Sequence, residues 1–400
     1  MTKMFNQILR MLSLIKRKEY KLFFADLTFE HRRFMFKQRK IQKKLIRFAG
    51  TLKQQFQNPI SIRCKNVALG NMISSCLCNL SFVVTLEQEN YEIAITDRIE
   101  EITDNSIFIV DNESSLVLAS KRKPLFVWVT NEFLLKKANK LFHVHKIFHI
   151  NTLDQKHCTF YLSRFLLSYD LITFELFCNS NLDYNPFANS NYLCLTLPEY
   201  SQRYEYADNL IHDSAIKTFN FNLFTGLRHY IGWVGCGYSY KFLFKKAIQY
   251  GMNYIIICED DIILAENFKI KLREIRQYAL QNKSKWDVIS GFITRIDDDT
   301  KMAAKLQLNH IELCTTNKLY STLFSFYNNT IFQQMVEWEP NRKTQLQIDA
   351  YINHINVNIL FSYPFIVTQN QNLDSAVWSH SNKLLYDKSI NRTNNKLQNL

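Results

Sequence analysis

Residues 251–261 read Gly-Met-Asn-Tyr-Ile-Ile-Ile-Cys-Glu-Asp-Asp, and this stretch decides the fold class. Tyr254 to Cys258 is an unbroken apolar run rich in β-branched residues. That is the pattern of a strand covered on both faces, as in the parallel sheet of an α/β domain. Three carboxylates follow directly. Ligands of open α/β sheets lie beyond the carboxyl ends of the strands, so Glu259, Asp260 and Asp261 stand where a substrate would be held. In extended backbone Glu259 and Asp261 share one side and Asp260 points to the other. Two oxygen ligands with open positions beside them suit Mg²⁺ or Mn²⁺ shared with a diphosphate. The competing expectation is an acidic turn that caps the next helix.

The preceding residues weigh toward the ligand site. The chain of 400 residues has eight glycines, and four of them, Gly226, Gly232, Gly235 and Gly237, fall within twelve positions. Such a concentration predicts positive φ or close backbone approach. Ser239 is placed to N-cap a helix running through Tyr250, with Phe244, Ala247 and Ile248 on one face and Gly251 as its C′ terminator. That helix leads straight into the strand bearing the carboxylates.

A hydrophobic fraction of 47% with 14% aromatic residues excludes a generally disordered chain. Nine cysteines without a repeating frame, several inside apolar runs, imply reduced and mostly buried thiols in a reducing compartment. No run of 18 apolar residues exists to span a membrane, and the segment 8–15, interrupted by Arg10, is too short for a signal peptide. The expected location is therefore cytoplasmic. Residues 56–180 read as an α/β domain with strands at 82–85, 92–96, 107–110 and 125–130. His143, His145 and His149 alternate within 141–150 and are expected to form one exposed strand face rather than a metal site. The sequence assigns this domain no chemistry. The asparagine-rich stretch 179–191 marks a boundary, and residues 190–385 form a second domain that opens with a strand over 192–197 followed by Arg203.

Charge is concentrated at one end. Residues 1–55 hold 15 Lys and Arg against Glu19, Asp26 and Glu30, a net +12 of the chain's +13. Phe5, Ile8, Leu12 and Ile15, and later Ile41, Leu45 and Phe48, recur at helical spacing beside the basic clusters. Three readings stand for this segment: a solvated helical face packed on its own chain, an amphipathic helix on an anionic membrane surface, and a phosphate-binding face for nucleic acid. Nothing outside residues 1–55 supports the last.

Taken together, Gly232, Gly235, Cys236, Ser239 and Tyr240, then a helix, Gly251, and the strand ending in Glu259, Asp260 and Asp261 resemble glycosyltransferase family 25, the lipopolysaccharide-biosynthesis and collagen-galactosyltransferase group. The strand of Leu193 to Leu197 with Arg203, the segment Trp286 to Val288, and Asp349 followed by Pro364 and Gln369 extend the resemblance over about residues 190–380. Two positions depart from the family pattern, Trp233 where it has an acidic residue and Tyr240 where it has histidine.

The resemblance implies an A-type glycosyltransferase, Rossmann-like fold in the C-terminal half, with the N-terminal α/β domain separate from it. It implies an inverting, metal-dependent transfer of a hexose such as galactose from a UDP-sugar to a lipooligosaccharide, lipopolysaccharide or other surface glycan at the inner face of a bacterial membrane. Glu259 and Asp261 would hold Mn²⁺ or Mg²⁺. Thr196, Leu197, Arg203, Gly235, Cys236, Ser239 and Asp260 would meet the nucleotide sugar, with Asp260 orienting the ribose or the loop. Asp349 is the candidate general base, since the attacking hydroxyl must lose its proton. Asp297, Asp298 and Asp299 are a rival acidic cluster, expected to be a solvated loop. Phe324, Phe326, Tyr327, Trp338 and Trp378 could stack on a sugar, although aromatics at this density more often form core. The alternative function is an inactive transferase-like scaffold at the membrane, motivated by Trp233 and Tyr240.

Overall fold

The computed structural model describes residues 29–86, 92–151, 154–296, 300–341, 346–375, 390–391 and 393–397. Phe5, Ile8, Leu12 and Ile15, the Asp297–Asp299 cluster and Trp378 lie outside them. The chain divides into two compact units, residues 1–51 and 52–400. Helix α1, Phe29–Gln55, carries the described part of the basic segment. On it Lys40, Lys43, Lys44, Arg47 and Lys53 are exposed, while Ile41, Leu45 and Phe48 are half-buried.

Residues 52–400 contain two large sheets. The first is wholly parallel, in the order β2-β1-β3-β4-β5-β6. Its strands are β1 (Ile60–Arg63), β2 (Val84–Leu86), β3 (Ile93–Thr96), β4 (Ser106–Val110), β5 (Phe126–Val129) and β6 (Ile147–His149). Four of these match the apolar runs expected, β6 takes up only the end of the strand expected within 141–150, and β1 is additional. Helices α2 (Val67–Asn79), α3 (Glu113–Arg122), α4 (Glu132–Leu141), α5 (Gln155–Ser168) and α6 (Phe174–Ser180) complete this half. Four of the five start at an Asn or Asp whose side chain accepts an N–H of the first turn: Asn66, Asn112, Asn131 and Asp154. Thr173 does the same for α6. The many asparagines of this sequence thus act in part as caps that satisfy orphan donors.

The expectation of an exposed histidine face is not met. His149 ends β6 and is buried, whereas His143 and His145 lie in a short 3₁₀ turn before it, their rings stacked 5.0 Å apart. Burial and the nearby Arg228 guanidinium push His145 down to about 3, so it stays neutral.

After the irregular stretch 181–191 the chain builds a mixed sheet in the order β12-β13-β15-β11-β14-β9-β7-β8. The elements of this half are β7 (Tyr192–Thr196), α7 (Ser201–His212), β8 (Asn222–Thr225), α8 (Gly232–Gln249), β9 (Tyr254–Glu259), β10 (Ile262–Leu264), α9 (Phe268–Gln281), β11 (Val288–Ser290), β12 (Met302–Gln307), β13 (Glu312–Thr316), β14 (Phe324–Asn328), α10 (Phe332–Val336), α11 (Ile348–Ile352), β15 (Ile359–Tyr363) and β16 (Val367–Gln369), of which β10 and β16 pair antiparallel as a separate two-stranded sheet. Strands β8, β7 and β9 are parallel, and β14 lies antiparallel against β9. Ile255 to Cys258 are fully buried, as expected for a strand inside two covered faces. Phe324, Phe326, Tyr327 and Trp338 are fully buried too, and so belong to the core rather than to a sugar-stacking wall. The nine cysteines are all free thiols.

Candidate functional site

From Gly232 onward the glycine-rich stretch is helical, and Gly226 lies in the loop before it. Helix α8 begins at Gly232, seven residues before the expected N-cap, so Gly235, Cys236, Gly237 and Ser239 lie inside it. Ser239 is buried: its hydroxyl donates to the Gly235 carbonyl at 2.8 Å and accepts the Leu227 N–H at 2.7 Å. The glycines here serve close approach. A Cβ on Gly235 would come within 2.8 Å of the His229 nitrogen and the Leu227 carbonyl, and one on Gly237 within 2.1 Å of the Trp338 ring. Gly251, in contrast, has φ +60° and closes the helix as expected. Its N–H reaches Ile248 O at 3.1 Å and that of Met252 reaches Ala247 O at 2.9 Å, the paired bonds of a Schellman end. Phe244 and Ala247 are on the buried face, but Ile248 is exposed.

This helix delivers the chain to β9 and the three carboxylates at its end. Asp260 lies in the turn after β9, outside the extended backbone in which alternation was expected, and is held on both oxygens. Thr196 donates its hydroxyl to Oδ2 at 2.8 Å, and Arg203 donates Nε to Oδ1 at 2.8 Å with Nη2 also on Oδ1. Nη1 of the same arginine reaches Asp261 Oδ2 at 3.2 Å and the Asp374 carbonyl at 3.1 Å. Thr196, Arg203 and Asp260 therefore form a buried clasp that fixes the turn after β9. Leu197, half-buried beyond β7, lies beside Gly226, where an added Cβ would sit 3.3 Å from its Cδ2.

Glu259 and Asp261 face a different environment. Glu259 Oε1 accepts the Thr322 hydroxyl at 2.7 Å. Asp261 Oδ2 accepts Gln369 Nε2 at 3.1 Å, brought there by the pairing of β10 with β16, while its buried Oδ1 has no hydrogen-bond partner among the described residues. Burial and the negative charge of Asp261 push Glu259 up to about 7. Burial also raises Asp261, against the pull of Arg203. A buried carboxylate oxygen without a donor, next to a second carboxylate that resists ionising, is the donor set a divalent cation satisfies. Among the described residues no three His, Cys, Asp or Glu side chains converge to cage a metal. The pair thus fits an open site in which other ligands complete the shell.

Cys236 and Asp349 complete the neighbourhood. Burial, Glu259 and Asp349 all push the Cys236 thiol well above its ordinary value. Asp349, on α11, is half-buried; burial raises it, opposed by the Ala350 N–H and by Arg295. The two departures from the family pattern are interior. Trp233 packs edge-on against Trp338, 6.3 Å between ring centres, and Tyr240 is fully buried with its hydroxyl on the Thr322 carbonyl at 3.1 Å.

Sequence reasoning missed Thr322, whose hydroxyl holds Glu259 from 63 positions away, and the buried ion pair of Arg164 with Glu199. Neither sits in a spacing pattern. Gln369 was noted only as part of a distant segment, and its contact with Asp261 arises from strand pairing.

None of the curated proteins matches the chain. Two solved structures of UDP-glucose pyrophosphorylase are similar to it. The one complexed with UDP-glucose covers 52% of this chain and 82% of its own at 9% identity and a TM-score of 0.27; the apo form covers 52% and 81% at 12% and 0.25. At such scores the likeness carries no argument. The family comparison does: residues 208–344, about a third of the chain, which contain α8 and the carboxylates but not Thr196, Leu197, Arg203 or Asp349, match the family described as glycosyltransferase family 25 (LPS biosynthesis protein).

Proposed function

We propose that the chain is a metal-dependent hexosyltransferase that moves galactose or a related hexose from a UDP-sugar to a lipooligosaccharide or other surface-glycan acceptor, with inversion. The observation that carries the metal reading is the orphaned, buried Oδ1 of Asp261 beside Glu259, inside the family region. Glu259 and Asp261 would hold Mn²⁺ or Mg²⁺. When bound, such an ion supplies positive charge for the departing diphosphate.

The chain's own residues do the rest. Arg203 and Thr196 keep Asp260, and so the whole carboxylate turn, in one geometry. Asp349 takes the proton of the acceptor hydroxyl as its oxygen bonds to the sugar's anomeric carbon and the bond from that carbon to the UDP oxygen breaks. Its raised affinity for protons suits a base that must accept one near neutral pH. The exposed lysines and arginine of α1 support docking of residues 1–55 on an anionic membrane, where a glycolipid acceptor resides. No described helix is long and apolar enough to cross a membrane. The scaffold alternative rested on Trp233 and Tyr240, and their packing in the interior gives it no specific observation.

The test is UDP release from a panel of UDP-sugars, with and without Mn²⁺. Metal-dependent release from one donor, reduced by Asp349→Asn by roughly 10²-fold or more in the presence of acceptor, is the expected result. UDP bound but released from no donor sugar, with any acceptor, would move the reading to the scaffold.

A further inference from the structure

Residues 56–180, which the sequence leaves without a chemical role, reach the carboxyl-end loops of the second sheet. Two neighbouring parallel strands end there, β7 and β8, and each is followed by a loop held from the first half of the chain. Arg164 on α5 is fully buried and donates Nη1 and Nη2 to the two oxygens of Glu199, at 2.6 and 2.7 Å, in the loop after β7. Its Nε donates to the Gly226 carbonyl at 2.7 Å, at the start of the loop after β8. Glu199 also accepts the backbone N–H of His149 at 3.0 Å, where β6 ends. Arg228 runs in the opposite direction: from the loop after β8 it donates to the carbonyls of Ile147 and Val144, each at 2.7 Å. Tyr230 adds its N–H to the Ser168 carbonyl at 2.9 Å and its hydroxyl to Asp170 at 2.8 Å.

A fully buried ion pair is weak evidence for stability, because an apolar pair of similar volume often does as well. What three directed bonds from one guanidinium do provide is a fixed separation between two loops. Those loops occupy the place where open α/β sheets hold ligands. They are also joined to the family motif, since the Leu227 N–H is held by Ser239 and Gly235 packs on the Leu227–His229 backbone. We infer that residues 56–180 form the platform that holds the donor-nucleotide loops in register, with Arg164 and Glu199 as its positioning residues acting through Gly226. This rests on the nucleotide-sugar reading above.

The test uses the full chain and three variants, Arg164→Met, Glu199→Leu and the two combined, with UDP as probe. Each single change strands a buried charge and lowers Tm, whereas the double change removes both charges and recovers most of the wild-type Tm. The platform predicts that the recovered double variant still binds UDP roughly tenfold or more weakly and raises KM for the UDP-sugar, with kcat at saturating donor nearly unchanged. If the double variant does not recover, Arg164→Lys decides: it keeps a cation beside Glu199, drops the bond to Gly226, and is expected to weaken UDP in the same direction. Wild-type UDP affinity in the recovered double variant, or in Arg164→Lys where that one decides, overturns the inference alone. A wild-type chain that binds no UDP overturns the nucleotide-sugar reading, and the inference with it.

Discussion

Asp261 has one oxygen held by Gln369 and Arg203 and one that no described residue holds, and that asymmetry is what a bound cation would use. The pH consequence follows from its neighbour. Glu259 is pushed up to about 7 from an ordinary 4.5, so between those values the folded chain binds more protons than the unfolded one. Stability of the metal-free chain from this group is therefore greatest below about pH 4.5 and falls as pH rises through 7. Metal binding goes the other way, because it needs the carboxylates ionised. Mn²⁺ affinity should tighten by up to about tenfold per pH unit below pH 7 and level off above it. Titrating Mn²⁺ by its free EPR signal from pH 5.5 to 8.5 measures this, and a flat profile would exclude Glu259 as a ligand. At this scale the position of Glu259, Asp260 and Asp261 at the end of a buried strand was legible from the apolar run before them. Their alternation was not, because β9 ends at Glu259 and the two aspartates lie in a turn. Nor were the partners of those carboxylates, since Thr322, Gln369 and Arg203 arrive through tertiary pairing and leave no local pattern.

Helix α8 shows where sequence reasoning stops at the level of elements. Four glycines in twelve residues argue against helix on propensity, yet three of them lie in α8 because the Trp338 ring and the Leu227–His229 backbone pack where their side chains would be. Tertiary packing overrode propensity, and the first expected cap, Ser239, became an interior hydrogen-bonding residue. The end of the same helix was legible because positive φ is a local demand that Gly251 meets. Two substitutions separate these causes. Gly237→Ala drives a methyl into Trp338 and is expected to cost about 1–3 kcal/mol. Gly251→Ala meets open space but keeps φ +60°, a purely backbone cost of about 1 kcal/mol. Urea unfolding of both variants checks the ranking, and the reverse order would mean that α8 does not start at Gly232. Strand length does not separate the strands read from those missed: β1, which was missed, spans four residues, as do β3 and β5, which were read.

For the molecule as a whole, the α/β class and the position of the carboxylates at a strand end were legible, while the joining of the two halves through Arg164 and Arg228 was not. Buried arginines look like surface ones in a sequence; only burial distinguishes them. The net +12 of residues 1–55 was plain from the start, and it carries its own prediction. The full chain should co-sediment with vesicles containing anionic phospholipid at low salt, and a chain lacking residues 1–51 should lose that binding while keeping UDP-sugar turnover. Equal binding to neutral vesicles would refute a charge-driven attachment. The central claim, that Glu259 and Asp261 share a cation with a donor diphosphate, is tested most directly by calorimetric titration of UDP into wild type and Asp261→Asn, with and without Mn²⁺. Mn²⁺ is expected to tighten UDP binding at least about tenfold in wild type and to leave Asp261→Asn unchanged. UDP binding that ignores Mn²⁺ in wild type, or that gains as much from it in the variant, would contradict the account.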